Sequence, residues 1–164
     1  MQMLEPEKHK VKLDKKAALL KAEHYCAYQE RSQQEVRDKL YEMGLWSNDV
    51  EELIAELIQT NFLNEERFAL AYVSGKFKIK KWGKIKIKQG LKLKKVPDKM
   101  ILNALKTIDY EDYLETIAMI AEKKASLITE KDPYKRKYKL VSYLMSRGFE
   151  TDLVNEVLRD KHLS

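Results

Sequence analysis

VRDKLYEMGL, residues 36–45, is the first of three segments in this chain that share one spacing of apolar side chains. The other two are IKQGLKLKKV at residues 87–96 and LVSYLMSRGF at residues 140–149. In each, the first, fifth and tenth residues are apolar, and the segments begin 51 and then 53 residues apart. Apolar residues four positions apart lie on one face of an α-helix. A pattern that recurs at a nearly fixed period indicates tandem helical repeats.

Apolar periodicity on both sides of these segments predicts nine helices in three groups of three. Ser32 followed by Glu35 is a capping-box pattern at one helix start, and Gly44 and Gly148 are residues that end helices at low cost. The predicted helices cover residues 15–30, 32–43, 47–60, 64–80, 83–94, 98–108, 111–128, 134–147 and 151–160. We therefore expect an all-α fold of three tandem three-helix repeats, arranged as an elongated, curved rod of helices.

The repeats are expected at residues 16–62, 63–109 and 110–164, after a mobile arm at residues 1–15. The middle repeat carries the excess positive charge. Residues 67–97 hold 11 Lys or Arg and no Asp or Glu, whereas the whole chain has a formal net charge of only +6. A solvated helix surface usually interleaves the two signs, so this span predicts an anionic partner. An ordinary basic helix surface without a partner is the alternative.

The most basic stretch is KFKIKKWGKIKIKQ, residues 76–89. Its alternation of lysine with apolar residues is typical of a β-strand, but the repeat places Gly83 where the first copy has Ser32, at a helix start. Trp82-Gly83 is also a poor hairpin turn, because such turns favour Asn-Gly or Asp-Gly. We interpret the stretch as a joint between two helices and refer to residues 76–92 as the lysine joint.

Side chains of the lysine joint are candidates for phosphate contacts, which are salt-sensitive and carry little sequence information. Trp82 fits packing between helices better than stacking on a base. Basic residues at the equivalent joints of the other repeats extend the same surface. The candidate nucleic-acid- or filament-binding residues are Lys76, Lys78, Lys80, Lys81, Trp82, Lys84, Lys86, Lys88, Lys92, Arg31, Arg67 and Arg136.

No group of residues in the sequence has the pattern of a catalytic or metal site. His9, His24 and His162 are scattered, and His24 and Cys26 would lie about 200° apart around a helix. The glycine-rich phosphate loop and the nucleophile elbow are both missing from the sequence. We therefore expect no enzymatic activity, no cofactor and no bound metal ion.

Composition also indicates the cellular compartment in which the protein is found. Cys26 is the only cysteine, so an internal disulfide cannot form, as is usual in a reducing compartment. No run of about 18 apolar residues is present, and the first residues lack the apolar centre of a signal peptide. We expect a cytoplasmic protein that does not enter membranes, and a monomer, because no spare apolar face is evident.

Three motifs together resemble the RecX family of recombination regulators. They are Arg31-Ser32 with Glu35, Leu40 and Gly44, then NEERFALAYV at residues 64–73, then Lys81-Trp82-Gly83 followed by Ile87 and Leu91. The resemblance covers roughly residues 18–160, and the second motif is its most specific part. Lys95 stands where the family pattern has glycine, so we expect the helix before it to end differently.

The resemblance implies an all-helical protein that binds the RecA recombinase filament. Such proteins lie along the filament groove near the DNA and suppress the ATPase and strand-exchange activities by blocking filament growth or promoting disassembly. Within the second motif, Phe68 and Tyr72 are four residues apart and are expected in the core. Arg67 fits a structural ion pair better than a contact with the partner.

Two other functions stay open from the residues alone. The chain could be a sequence-independent nucleic-acid-binding module that acts by charge, or a helical-repeat scaffold for acidic protein partners. Steeply salt-dependent binding to naked DNA would favour the first. A protein that binds acidic partners but never DNA would favour the second.

Overall fold

The computed structural model describes residues 13–163, and every regular element in this part of the chain is helical. The helices are α1 (Lys15–Tyr28), α2 (Gln33–Glu42), α3 (Ser47–Gln59), α4 (Glu65–Lys78), α5 (Lys84–Leu93), α6 (Asp98–Leu105), α7 (Tyr110–Leu127), α8 (Pro133–Ser146) and α9 (Thr151–Asp160). Each predicted helix is confirmed, with ends within three residues of the expected ones. The all-α prediction is correct for the described residues.

The predicted N-terminal arm, residues 1–15, overlaps the start of α1. Residues 1–12 of that arm lie outside the described residues. The remainder is structured: the Asp14 side chain accepts a hydrogen bond of 2.7 Å from the Ala17 amide and so caps α1. The first helix group therefore begins at Asp14.

The chain divides into two units, Met1–Phe68 and Ala69–Ser164. In the first, α1, α2 and α3 pack against one another around an apolar core. In the second, α5 packs on α6, and α7, α8 and α9 pack against one another. The spacing seen in the sequence accounts for these cores. Its first two apolar positions are fully buried in all three copies, at Val36, Leu40, Ile87, Leu91, Leu140 and Leu144.

The helix that precedes Lys95 ends in the same way as its counterparts, so the expectation of a different ending is wrong. Lys95 has a φ of 58°, close to the left-handed values of Gly44 (87°) and Gly148 (95°). The following amide then donates back to the helix, over 3.2 Å from Val96 to the Leu91 carbonyl. This is the Schellman ending, and burial of Val96 holds Lys95 in a conformation that favours glycine.

Replacing Lys95 with glycine is expected to raise the free energy of unfolding by about 0.5–1 kcal/mol, because the strain of a left-handed lysine disappears. Urea denaturation followed by circular dichroism measures this gain. Lys94→Gly is the matched control, since it removes the same charge at a φ of −83° where glycine has no advantage. Equal effects of the two substitutions would contradict the assignment of strain to Lys95.

The expectation that Phe68 and Tyr72 are both core residues is half correct. Phe68 is buried, whereas Tyr72 is only half-buried. A side chain at Gly90 of α5 would overlap the Tyr72 hydroxyl, so α4 and α5 approach closely here. Tyr72 thus contributes its ring to the contact between these helices, and its polar end explains why it does not enter the core.

Cys26 lies in the core of the first unit, where burial raises the pKa of its thiol to about 11. Since only the thiolate reacts, we expect modification at pH 8 to be about 100-fold slower in the native protein than in urea. An aromatic disulfide reagent, followed by absorbance, measures both rates. Equal rates would show that α1 opens readily.

Candidate nucleic-acid interface

The lysine joint covers the end of α4, the link of residues 79–83 and nearly all of α5. Among its candidate lysines, Lys78, Lys80 and Lys92 are exposed, and the other five are half-buried. Lys81 has a φ of 57°, and the Trp82 amide donates back to the Lys76 carbonyl over 3.0 Å. The link is therefore a defined reversal of the chain rather than a hairpin of strands.

Trp82 lies between lysines from both helices. Lys76 of α4 and Lys86 of α5 place their Nζ atoms 4.7 and 4.5 Å from the centre of the indole ring. Both distances are within the range of cation–π attraction. The ring therefore packs between α4 and α5, as the sequence interpretation favoured. Residues 67–97 contain no Asp or Glu, so the attraction to the ring offsets part of the repulsion between the neighbouring lysines.

The first turn of α5 obtains its hydrogen-bond acceptors from the third repeat. Gly83, its N-cap residue, has no side chain to cap the helix. Instead, the Gly83 amide donates to the Arg147 carbonyl over 2.8 Å, and the Ile85 amide donates to the Gly148 carbonyl over 3.0 Å. The end of α8 thus satisfies two of the amides that a helix leaves unpaired at its start. We call this arrangement the Gly83–Gly148 contact.

Tyr113 of α7 completes the same turn. Its hydroxyl accepts a hydrogen bond of 3.0 Å from the Lys84 amide and lies 2.9 Å from Oε2 of Glu150, to which it donates. The ring is fully buried, with the rings of Phe77 and Phe149 at 5.8 and 5.4 Å between centres. Burial, more than any other cause, raises the pKa of Tyr113 above its ordinary value. The phenol therefore stays protonated and can donate.

Arg147, just after α8, holds the other side of the joint. Its Nη2 donates to the carbonyls of Lys80 and Lys81, the latter over 3.2 Å. Sequence reasoning missed Arg147 and Tyr113, because their partners lie some 30 to 70 residues away along the chain. The only signal in the sequence was a glycine at a helix start, where a capping side chain is usual.

The three candidate arginines outside the lysine joint all donate hydrogen bonds to acceptors inside their own unit. Arg31 donates to the Tyr25 carbonyl over 3.0 Å and lies 3.7 Å from the centre of that ring. Arg136 donates over 2.8 Å to the carbonyl of Ile128, after the end of α7. These contacts fix the guanidinium groups, and binding of nucleic acid by them stays a prediction.

Arg67 has the largest set of internal contacts of the three. Its Nε lies 2.5 Å from Oε1 of Glu30, and the same guanidinium donates to the carbonyls of Asn61 and Phe62. This agrees with the interpretation of Arg67 as a structural ion-pair residue. It ties the start of α4 to the link between α1 and α2.

Arg67→Ala is expected to lower the free energy of unfolding by about 2 kcal/mol, because several charge-assisted hydrogen bonds are lost. Lys39→Ala serves as the control, since the Lys39 and Glu42 side chains, 3.9 Å apart, are 41% and 68% exposed and their pair should contribute less than about 1 kcal/mol. Urea denaturation of both variants makes the comparison. A loss for Arg67→Ala no larger than that of the control would argue against a structural role.

Two searches of the described residues concern other kinds of site. Within residues 13–163, no three His, Cys, Asp or Glu side chains are grouped closely enough to hold a metal ion. None of the helices in that range combines the length and the apolar character needed to cross a bilayer.

Family models match the chain in three consecutive parts. The first three-helix domain of RecX matches residues 18–57, the second matches residues 64–105, and the third matches residues 111–158. The order of the models follows the order of the helix groups. The lysine joint lies in the second of these domains.

Curated relatives and solved structures are consistent with these matches. The regulatory protein RecX of Clostridium perfringens (strain 13 / Type A) is 35% identical over 131 residues, which are 79% of this chain and 61% of that protein. The RecX of Bacillus mycoides (strain KBAB4) is 27% identical over 87% of this chain and 53% of its own length. This chain therefore spans only part of the length of these relatives.

A crystal structure of RecX from Lactobacillus salivarius has the same fold, with a TM-score of 0.84 and 25% identity over 92% of this chain and 98% of the other. The tandem three-helix repeats predicted from the spacing of apolar residues are thereby confirmed. Since three domain models match in order from residue 18 to residue 158, this chain belongs to the RecX family.

Proposed function

We propose that this protein is a non-enzymatic regulator that binds the RecA recombinase filament on DNA and inhibits its ATPase and strand-exchange activities. It binds in the filament groove and either blocks growth or promotes disassembly. It acts as a monomer in the cytoplasm. Membership of a family whose members are named regulatory proteins supports this proposal.

The observation that carries the proposal is the lysine joint. Eight candidate lysines lie on two helices and their link, in a span of 31 residues without a carboxylate. The Gly83–Gly148 contact and Arg147 fix the link from the third repeat. Because the backbone of the link is fixed, less backbone conformational entropy is lost when its lysines bind phosphates than in a flexible loop.

Hydrolysis of ATP by RecA on single-stranded DNA, titrated with this protein well below one molecule per RecA protomer, tests the proposal. DNA is kept in excess, so that competition for free DNA cannot account for a loss. We expect the rate to fall at substoichiometric ratios, because one bound regulator affects many protomers of a filament. An unchanged rate, with DNA binding intact, would refute inhibition of the filament.

A simpler candidate is a nucleic-acid-binding module that acts by charge alone, and the exposed lysines at positions 78, 80 and 92 favour it. It predicts binding to naked DNA as tight as to the filament. Pelleting of filaments, compared with DNA of the same length, separates the two functions. A helical scaffold for acidic proteins, the third candidate, would bind neither DNA nor filament.

A further inference from the structure

A cleft of about 420 Å³ lies beside the lysine joint and is lined mainly by α7 and the end of α8. Its lining contains four cations, Lys81, Lys123, Lys124 and Arg147, and no carboxylate. The rest of the lining is mostly apolar and includes Leu127, whose side chain is 68% exposed. A surface that combines positive charge with an exposed apolar floor suits a ligand that carries both anionic and apolar parts.

A second, more open cleft continues the first along α8. The two share Lys124, Leu127 and Tyr143, and the second adds Tyr138 and Lys139. Together they form a continuous path from Lys81, at the lysine joint, to the N-terminal half of α8. A chain-like ligand could therefore follow this path over several of its units.

The side chains along the path are partly positioned already. The Nζ atom of Lys124 lies 4.4 Å from the centre of the Tyr143 ring, which keeps this cation at the cleft. Arg147 lines the same cleft, and the bonds from its Nη2 to the carbonyls of Lys80 and Lys81 hold its guanidinium in place there. Tyr138, by contrast, leaves 70% of its surface exposed.

We propose that this path binds single-stranded nucleic acid, with phosphates beside Lys81, Lys123 and Arg147 and bases against Leu127 and Tyr138. Unpaired bases offer faces that stack on aromatic and apolar side chains, while the backbone follows a basic groove. In a duplex the faces are hidden, so the apolar part of the lining would remain unused. The path shares Lys81 with the lysine joint, but its other lining residues belong to the third repeat, and it needs no recombinase to bind.

Fluorescence anisotropy with the full chain tests the proposal, using a labelled oligothymidylate and a duplex of equal length. Tyr138→Ala is expected to weaken binding of the single strand about fivefold or more, the effect of one lost stacking contact, and to leave duplex binding unchanged. Tyr134→Ala is the matched control, because Tyr134 lies on the same helix, is 84% exposed and lines neither cleft.

A second pair of variants tests the charge. Lys123→Gln is expected to reduce the dependence of the logarithm of affinity on the logarithm of salt by about 0.7 for the single strand, as for one lost phosphate contact. Lys137→Gln, an exposed lysine of α8 outside both clefts, should leave this slope nearly unchanged.

Equal losses for the Tyr138 and Tyr134 variants, or equal losses for single strand and duplex, would overturn the proposal. It would also be overturned by a polyglutamate peptide that competes as well as unlabelled oligothymidylate, because charge alone would then explain the binding. None of these measurements includes the recombinase. Their failure is therefore distinct from failure of the proposed inhibition of filaments.

Discussion

Gly83→Ala is expected to lower the free energy of unfolding by about 3 kcal/mol, through overpacking and the loss of backbone hydrogen bonds. A side chain at this position would overlap the Gly148 carbonyl and the Phe149 amide. Backbone atoms cannot rotate away as a flexible side chain does, so the end of α8 must separate from α5. The amides of Gly83 and Ile85 then lose their acceptors.

Urea denaturation and thermal melting followed by circular dichroism measure this effect, and we expect the melting midpoint to fall by about 6–12 °C. Gly75→Ala provides the matched control in α4, because a Cβ at Gly75 has no neighbour within 4 Å. That substitution should stabilise the protein by up to about 1 kcal/mol, through a better helix propensity. A loss below about 1 kcal/mol for Gly83→Ala would show that the contact adjusts easily.

Reversing the charge of three exposed lysines, with Lys78→Glu, Lys80→Glu and Lys92→Glu combined, is expected to weaken binding to the recombinase filament by about 100-fold or more at low salt. All three lysines are exposed, Lys78 at the end of α4, Lys80 in the link and Lys92 in α5. Each substitution removes a cation and adds a carboxylate, so attraction to phosphate is replaced by repulsion. Sedimentation of filaments across a salt series measures the affinity.

The control has the same change in net charge at exposed lysines outside the lysine joint, with Lys99→Glu, Lys106→Glu and Lys161→Glu combined. At the upper end of the salt series, near 0.15 M, it should cost less than about a tenth as much, because surface charges separated by more than about 8 Å are then largely screened. Similar losses for the two triple variants would mean that overall charge, rather than the lysine joint, governs binding. Unchanged binding for the first would exclude the joint from the interface.

The helices could be predicted from the sequence because their signal is local. Val36 and Leu40, and their counterparts in the other two copies, are spaced for one helix face, and the same spacing buries them. The ending at Lys95 was mispredicted because the conformation of that residue depends on burial of Val96, which overrides the preference for glycine. The identity of the residue alone does not show whether burial of its neighbour outweighs the cost of a left-handed conformation.

The position of the candidate interface could be predicted from the sequence, but the contacts that hold its backbone could not. Charge counting located the lysine joint, since eight of the eleven cations in the carboxylate-free span of residues 67–97 lie within it. The partners of its backbone were not visible, because Tyr113 and Arg147 reach it only through the packing of the third repeat. The path along α7 and α8 likewise results from side chains that the fold, and not the sequence order, brings together.

The Gly83–Gly148 contact also has a consequence for synthesis on the ribosome. A nascent chain that ends before α8 contains every lysine of the joint but none of the carbonyl groups that complete the first turn of α5. The basic surface thus acquires its final form only after the last repeat has been translated. A chain that ends before α8 would therefore carry the charge of the lysine joint without the acceptors of the Gly83 and Ile85 amides.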